Sequence, residues 1–170
     1  MYESRMNEGY LTDSFDRRVI SVLLGPRRVG KTTLVDHYIA THPERLWVQL
    51  NMDSMTERLR VSKGEFSMMV AEKARQLIGG NRKIWVSIDE AQKCPDLFDQ
   101  IKILYDDSLK KGEDKIKFIL TGSGHLDLHL MTAESLAGRV EILHLAEFSL
   151  RESAILKEPT IPRLSLLDHL

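Results

Sequence analysis

Directly after an apolar run the chain reads Gly25-Pro26-Arg27-Arg28-Val29-Gly30-Lys31-Thr32. This order matches G-x-x-x-x-G-K-[ST] at every fixed position, a pattern whose backbone N–H groups wrap a polyphosphate. Gly25 and Gly30 provide positions where a Cβ would obstruct that conformation or the ligand's approach. A helix beginning near Gly30 adds unpaired N–H groups and the positive end of its dipole. Lys31 brings an ammonium to the β- and γ-phosphates, and the Thr32 hydroxyl suits Mg²⁺. Pro26, Arg27, Arg28, Val29 and Thr33 complete the candidate nucleotide-binding set. The two arginines read either as contacts to phosphate or adenine or as solvent-facing loop residues.

A second piece of chemistry follows at Ile84-Trp85-Val86-Ser87-Ile88-Asp89-Glu90, an apolar run ending in two adjacent acids. Beside a phosphate loop, a carboxylate in the position of Asp89 holds Mg²⁺, and a second one at Glu90 can polarise the attacking water. That pairing favours hydrolysis over transfer to a substrate hydroxyl. A polar group near the γ-phosphate is also required, and Phe118-Ile119-Leu120-Thr121-Gly122-Ser123 ends in two hydroxyls. Thr121 and Ser123 both qualify, and Ser123, past the end of the apolar run, is preferred.

These residues need elements to hold them. Apolar runs at 19–24, 46–51, 84–89, 117–122 and 140–145 read as strands. They are continuous rather than alternating, as expected for a sheet buried on both faces. Helical periodicity marks 33–40, 65–78 and 95–111, with Gly79-Gly80 and Gly112 as stops and Pro95 in a first turn. Five strands joined by crossover helices predict an α/β, three-layer, mostly parallel sheet with ligands at the strands' carboxyl ends. The charged stretch 53–64 reads as an exposed excursion.

The chain has 170 residues, room for one ordinary α/β domain, assigned to 1–152, with 153–170 as a tail where a further region could begin. Lys plus Arg number 24 and Asp plus Glu 25, so no global field argues for nucleic acid or membrane. One cysteine, Cys94, excludes an internal disulfide framework. No signal-like or membrane-spanning apolar run is visible, which points to the cytoplasm.

Other features carry less. His125, His129 and His144 lack the partners of a zinc site. Cys94 reads as an incidental thiol, Trp47 and Trp85 as core, and the Lys110, Lys111, Lys115 and Lys117 group as a solvated helix end and strand entry.

Taken together, the loop and Thr33-Leu34, Ile88-Asp89-Glu90-Ala91-Gln92-Lys93 with Pro95, Leu120-Thr121-Gly122-Ser123, and Glu134-Ser135-Leu136-Ala137-Gly138-Arg139 resemble a known domain. It is the AAA-type ATPase domain of a large prokaryotic family, similar to the STAND-related branch of AAA+ and usually followed by a C-terminal domain of unknown function. The resemblance covers about residues 15 to 152. It implies a P-loop NTPase fold of the ASCE type with strand order 5-1-4-3-2, and ATP rather than GTP, for which the Asn-Lys-x-Asp base-reading motif is missing. It also suggests Arg139 as an arginine finger or sensor, on the same subunit or a neighbour, against the alternative of a surface salt-bridge arginine.

The expected activity is Mg²⁺-dependent ATP binding with hydrolysis used as a conformational switch. Glu90, Lys31, Ser123 and Arg139 would be catalytic, and Thr32 and Asp89 would hold the metal. Two alternatives stand beside it: a nucleotide-dependent interaction module with little turnover alone, and a DNA-associated motor or helper. A protein partner, a further domain and oligomer formation are compatible with all three.

Overall fold

The computed structural model describes residues 8–76, 83–110, 115–123 and 134–149. The elements run α1 (Glu8–Asp16), β1 (Ile20–Leu24), α2 (Lys31–Thr41), β2 (Leu46–Asn51), α3 (Met55–Ser62), α4 (Phe66–Gln76), β3 (Ile84–Asp89), a 3-10 turn (Ala91–Lys93), α5 (Asp96–Lys110), β4 (Ile116–Gly122) and β5 (Val140–His144). The predicted glycine stops at 79–80 and 112 lie outside the described residues.

All five strands are parallel, in the order β2-β3-β4-β1-β5. This is the predicted 5-1-4-3-2 order read from the other edge. The middle strands β1, β3 and β4 are buried almost throughout, whereas the edge strand β2 alternates along its outer half. Edge position explains the difference: helices cover both faces of the central strands but leave part of β2 open.

Each face has its own core. On one, α3, α4 and α5 bury Phe66, Met69, Leu97, Phe98 and Ile101 against Val22, Val86, Ile88, Phe118 and Leu120. On the other, α1 and α2 bury Leu11, Phe15, Leu34, Val35 and Tyr38 against Leu23, Trp85 and Ile119. At about 1.5–3 kcal/mol per large side chain, these two layers dominate the stabilisation of the sheet.

The structure adds to or corrects the sequence reading at three places. The stretch after β2 is largely exposed, as expected, but it is helical: Ser54 caps α3 by accepting from the Glu57 N–H at 3.3 Å. Met52 and Val61 enter the core, and the Glu57 carboxylate turns back to the Asn51 N–H at 2.7 Å. The Ser54-Met55-Thr56-Glu57 spacing is that of a capping box, so the signal was local and present. Residues 8–16, unassigned from the sequence, form α1 and seal one end of the second core.

Lys117 is the third. Rather than lying in solvent it is buried, and its Nζ donates to the Arg17 and Val19 carbonyls and to Ser21 Oγ. The chain turns there between α1 and β1, where carbonyls leave the regular ladders and need a donor.

Candidate functional site

The phosphate loop connects β1 to α2 at the carboxyl edge of the sheet. Gly30 adopts φ 95°, a left-handed conformation that side chains other than glycine's adopt at a cost. Gly25 is needed for a different reason: a Cβ there would lie 2.2 Å from the Leu145 carbonyl oxygen. Its obstacle is therefore the backbone leaving β5, not the ligand. Arg28 also sits left-handed at φ 64°, exposed with Arg27.

Lys31 is buried, and its ammonium is tethered to the loop's own Gly25 and Pro26 carbonyls at 2.8 and 2.6 Å. Burial lowers its affinity for a proton, partly offset by the nearby Glu90 and Asp89 carboxylates. A phosphate at the loop would supply the counter-charge that two neutral carbonyls do not.

The register of the strands brings the remaining groups together. Asp89 and Glu90 emerge from β3 beside the end of β4, and Asn51 pairs with Asp89 across β2. Asp89 accepts from Thr32 Oγ1 at 3.1 Å through Oδ2 and from Thr121 Oγ1 through Oδ1. Ser123 instead donates to Glu90 Oε2 at 3.2 Å. The two hydroxyl candidates, Thr121 on β4 and Ser123 just past it, thus divide between the two carboxylates, Thr121 to Asp89 and Ser123 to Glu90.

Around the loop lies an open cavity of about 360 Å³ lined by Arg27, Arg28, Lys31, Lys93, Thr32 and Glu90, with Asp53 at its edge. Four cations against two carboxylates suit a polyanion. The Thr32 hydroxyl, on the wall of this cavity, meets the Asp89 carboxylate, and the two offer the hard oxygen donors that Mg²⁺ takes. The residues therefore fit both groups. Among the described residues, no cluster of three His, Cys, Asp or Glu side chains could hold a metal by itself.

A second cavity of about 370 Å³ shares Thr32, Asp89 and Thr121 with this site and extends over Asp36, Ser87 and Asn51 towards α3. Asp36 lies one helical turn beyond Thr32, and burial together with Asp89 raises its carboxyl above the ordinary value. That i, i+4 spacing was visible in the sequence but carried no motif.

Arg139 stands apart from all of this. It precedes β5, and its carbonyl accepts from the Ile20 N–H, at the amino edge of the sheet. The five residues of β1 separate that edge from the loop by about 13 Å at the usual strand rise. Its guanidinium forks onto Asp106 of α5. The suggested sensor or finger residue thus lies at the opposite edge of the sheet from its own subunit's phosphate loop, paired with Asp106. Cys94 is buried, and burial followed by Asp96 pushes its thiol up, away from nucleophilic reactivity. His125 and His129 lie outside the described residues.

Comparison with known proteins agrees with this geometry. Residues 17–154 match the sequence profile of a family described as an AAA domain. The uncharacterized proteins Rv2008c of Mycobacterium tuberculosis and Mb2031c of Mycobacterium bovis are each 31% identical over 152 residues, covering 89% of this chain and 30% of theirs. The chain thus spans under a third of these relatives.

Among solved structures it is similar to C. elegans PCH-2, with TM-score 0.52, 16% identity and coverage of 84% of this chain and 42% of that one. It is also similar to Drosophila ORC bound to DNA, with TM-score 0.56, 16% identity and coverage of 87% and 43%. Pif1 helicase from Candida albicans gives TM-score 0.57, 12% identity and coverage of 90% and 42%. These likenesses establish a three-layer α/β fold of the P-loop NTPase type. With its phosphate loop, its carboxylate pair and a profile match across most of its length, the chain belongs to this AAA-domain family of nucleotide-binding proteins.

Proposed function

We propose that this domain binds ATP with Mg²⁺ and hydrolyses it, the bound nucleotide acting as a conformational switch. The observation that carries the reading is the division of the two adjacent carboxylates. Asp89 takes one hydroxyl on each oxygen, from Thr32 and Thr121, beside the phosphate loop, whereas Glu90 lines the phosphate cavity. Loop amides and Lys31 would bind the phosphates, and Thr32 and Asp89 would hold Mg²⁺, which supplies charge neutralisation when bound. Glu90 would take the proton of the attacking water as its oxygen forms the bond to the γ-phosphorus and ADP leaves. Ser123 would report on the γ-phosphate.

Phosphate release and calorimetric ATP binding test this. Lys31→Ala should abolish tight binding. Glu90→Gln should retain binding and lose turnover by about 10²-fold or more. Unchanged hydrolysis in Glu90→Gln would remove Glu90 from the mechanism.

A second reading, an ATP-binding module whose turnover depends on a partner, is favoured by the seclusion of Arg139 at the far edge of the sheet. ATP binding without phosphate release at high protein concentration would select it. A DNA-associated role, suggested by the named likenesses to a DNA-bound complex and a helicase, has a net charge of −1 against it. A salt-dependent gel shift would revive it.

A further inference from the structure

Gln92 has no role in the site as described so far. It lies in the 3-10 turn after Glu90, whose backbone bends left-handed at φ 52°. A residue with a Cβ holds that conformation at a cost, and it persists where the surroundings fix it. The surroundings here are side chains. Gln92 Nε2 donates to Glu90 Oε2 at 2.6 Å and to Ser123 Oγ at 3.2 Å. Ser123 Oγ in turn donates to the same Glu90 oxygen at 3.2 Å, and Lys93 Nζ lies 3.8 Å from it.

The other end of the amide explains its orientation. Gln92 Oε1 is buried and has no hydrogen-bond partner among the described residues. Turning the amide over would place that oxygen against a carboxylate and strand the two N–H donors instead, so the present sense is the one the network dictates. Leaving a buried acceptor unpaired is unfavourable, and a charge-assisted bond to Glu90 offsets it.

The stoichiometry of hydrogens gives the arrangement a purpose. Ser123 has one proton, which it spends on Glu90 in this structure. The Gln92 amide has two, one for Glu90 and one for the Ser123 oxygen. If Ser123 turns its proton to a phosphate oxygen, Gln92 can keep both contacts and the carboxylate stays held. Among the described residues, the hydrogen bonds and the ion pair of that carboxylate all fall on Oε2, which leaves Oε1 to take a proton.

We propose that Gln92 is a positioning residue for hydrolysis, linking Ser123 to Glu90 and holding the Glu90 carboxylate by one oxygen so that the other is presented to water. This rests on the reading of Glu90 as the general base. The test compares wild type with Gln92→Met, which keeps length and removes both donors, and with Gln92→Glu, which adds a like charge.

In each variant kcat should fall about 10–100-fold while KM and the calorimetric Kd for ATP stay within about twofold. The double variant Gln92→Met/Ser123→Ala should fall no further than the worse single one, because the two act through one carboxylate. Wild-type kcat in Gln92→Met, or independent multiplication of the two effects, overturns the proposal. So does a loss of ATP affinity matching the loss of rate, which marks a merely structural residue. Glu90→Gln separates the two levels: if it loses turnover while Gln92→Met does not, the general base stands and the positioning role falls. If Glu90→Gln keeps turnover, both fall.

Discussion

Asp106 on α5 accepts two hydrogen bonds from the Arg139 guanidinium, from Nε at 2.7 Å and from the second terminal nitrogen at 2.9 Å, and pins the turn before β5 to the helix behind it. A further bond from Arg139 to the Ala137 carbonyl at 3.0 Å closes the turn on itself. The pair is a fork-to-fork contact of the stronger kind, and it holds the Asp106 carboxyl below the usual carboxylate range.

Arg139→Ala should therefore leave phosphate release by the isolated chain unchanged and lower Tm by a few degrees near pH 7. The sign of the pH dependence follows from the direction of the shift. A depressed carboxyl pKa contributes stability above its unfolded value, and this is lost as pH falls through the folded one. The gap in Tm between wild type and variant should close as pH drops below about 4. Thermal melts from pH 3 to 8 check it, and a gap that widens in acid would contradict it.

The two fixed glycines of the phosphate loop should respond differently to alanine. Gly25→Ala forces a Cβ onto the Leu145 carbonyl, a backbone atom that has no rotamer to escape through. A loss of about 2 kcal/mol or more is expected. Gly30→Ala meets no atom within 4 Å and bears only the strain of its positive φ, about 1 kcal/mol. Urea denaturation of the nucleotide-free proteins should rank Gly25→Ala below Gly30→Ala.

Lys117→Ala should cost about 3 kcal/mol, since it strands the Arg17 and Val19 carbonyls in the interior. ATP affinity per folded molecule should not move, because the residue lies at the amino edge of the sheet. Equilibrium denaturation and calorimetry on the same sample separate the two quantities.

Thr121→Val keeps the shape of the side chain and removes the hydroxyl that Asp89 accepts from. Magnesium titrations of nucleotide binding should shift to about 10-fold higher metal concentration, the usual effect of losing a group that orients a metal ligand. Nucleotide binding without metal should be unchanged.

The central strands were legible because β1, β3 and β4 are mainly apolar runs without helical or alternating periodicity, and the loop was legible because its chemistry fixes residue types at fixed spacing. The sheet order came from the resemblance, not from the strands themselves. α1 offered only Leu11 and Phe15 as apolar inward residues, beside the buried Ser14, too few for a periodic signal; it is held by a core assembled from distant strands. Lys117 misled because a charge on a strand usually means solvent, and only the crossing of α1 and β1 creates the carbonyls it serves. The place of Arg139 was not legible because a motif position says nothing about which edge of a sheet it reaches. Gln92 was in view as part of a motif, but its two contacts depend on a turn that no local pattern specifies.

Beyond β5 the Leu145 N–H donates to the Leu24 carbonyl at 2.7 Å, one residue before the loop, while its own carbonyl closes off the space beside Gly25. The first residue of the phosphate loop and the first residue past the last strand are thus geared together, backbone to backbone, with no side chain between them to absorb a displacement. A shift of the loop at Gly25 therefore meets the backbone of Leu145 directly. The route out of the nucleotide site is a lever whose fulcrum is a missing methyl group.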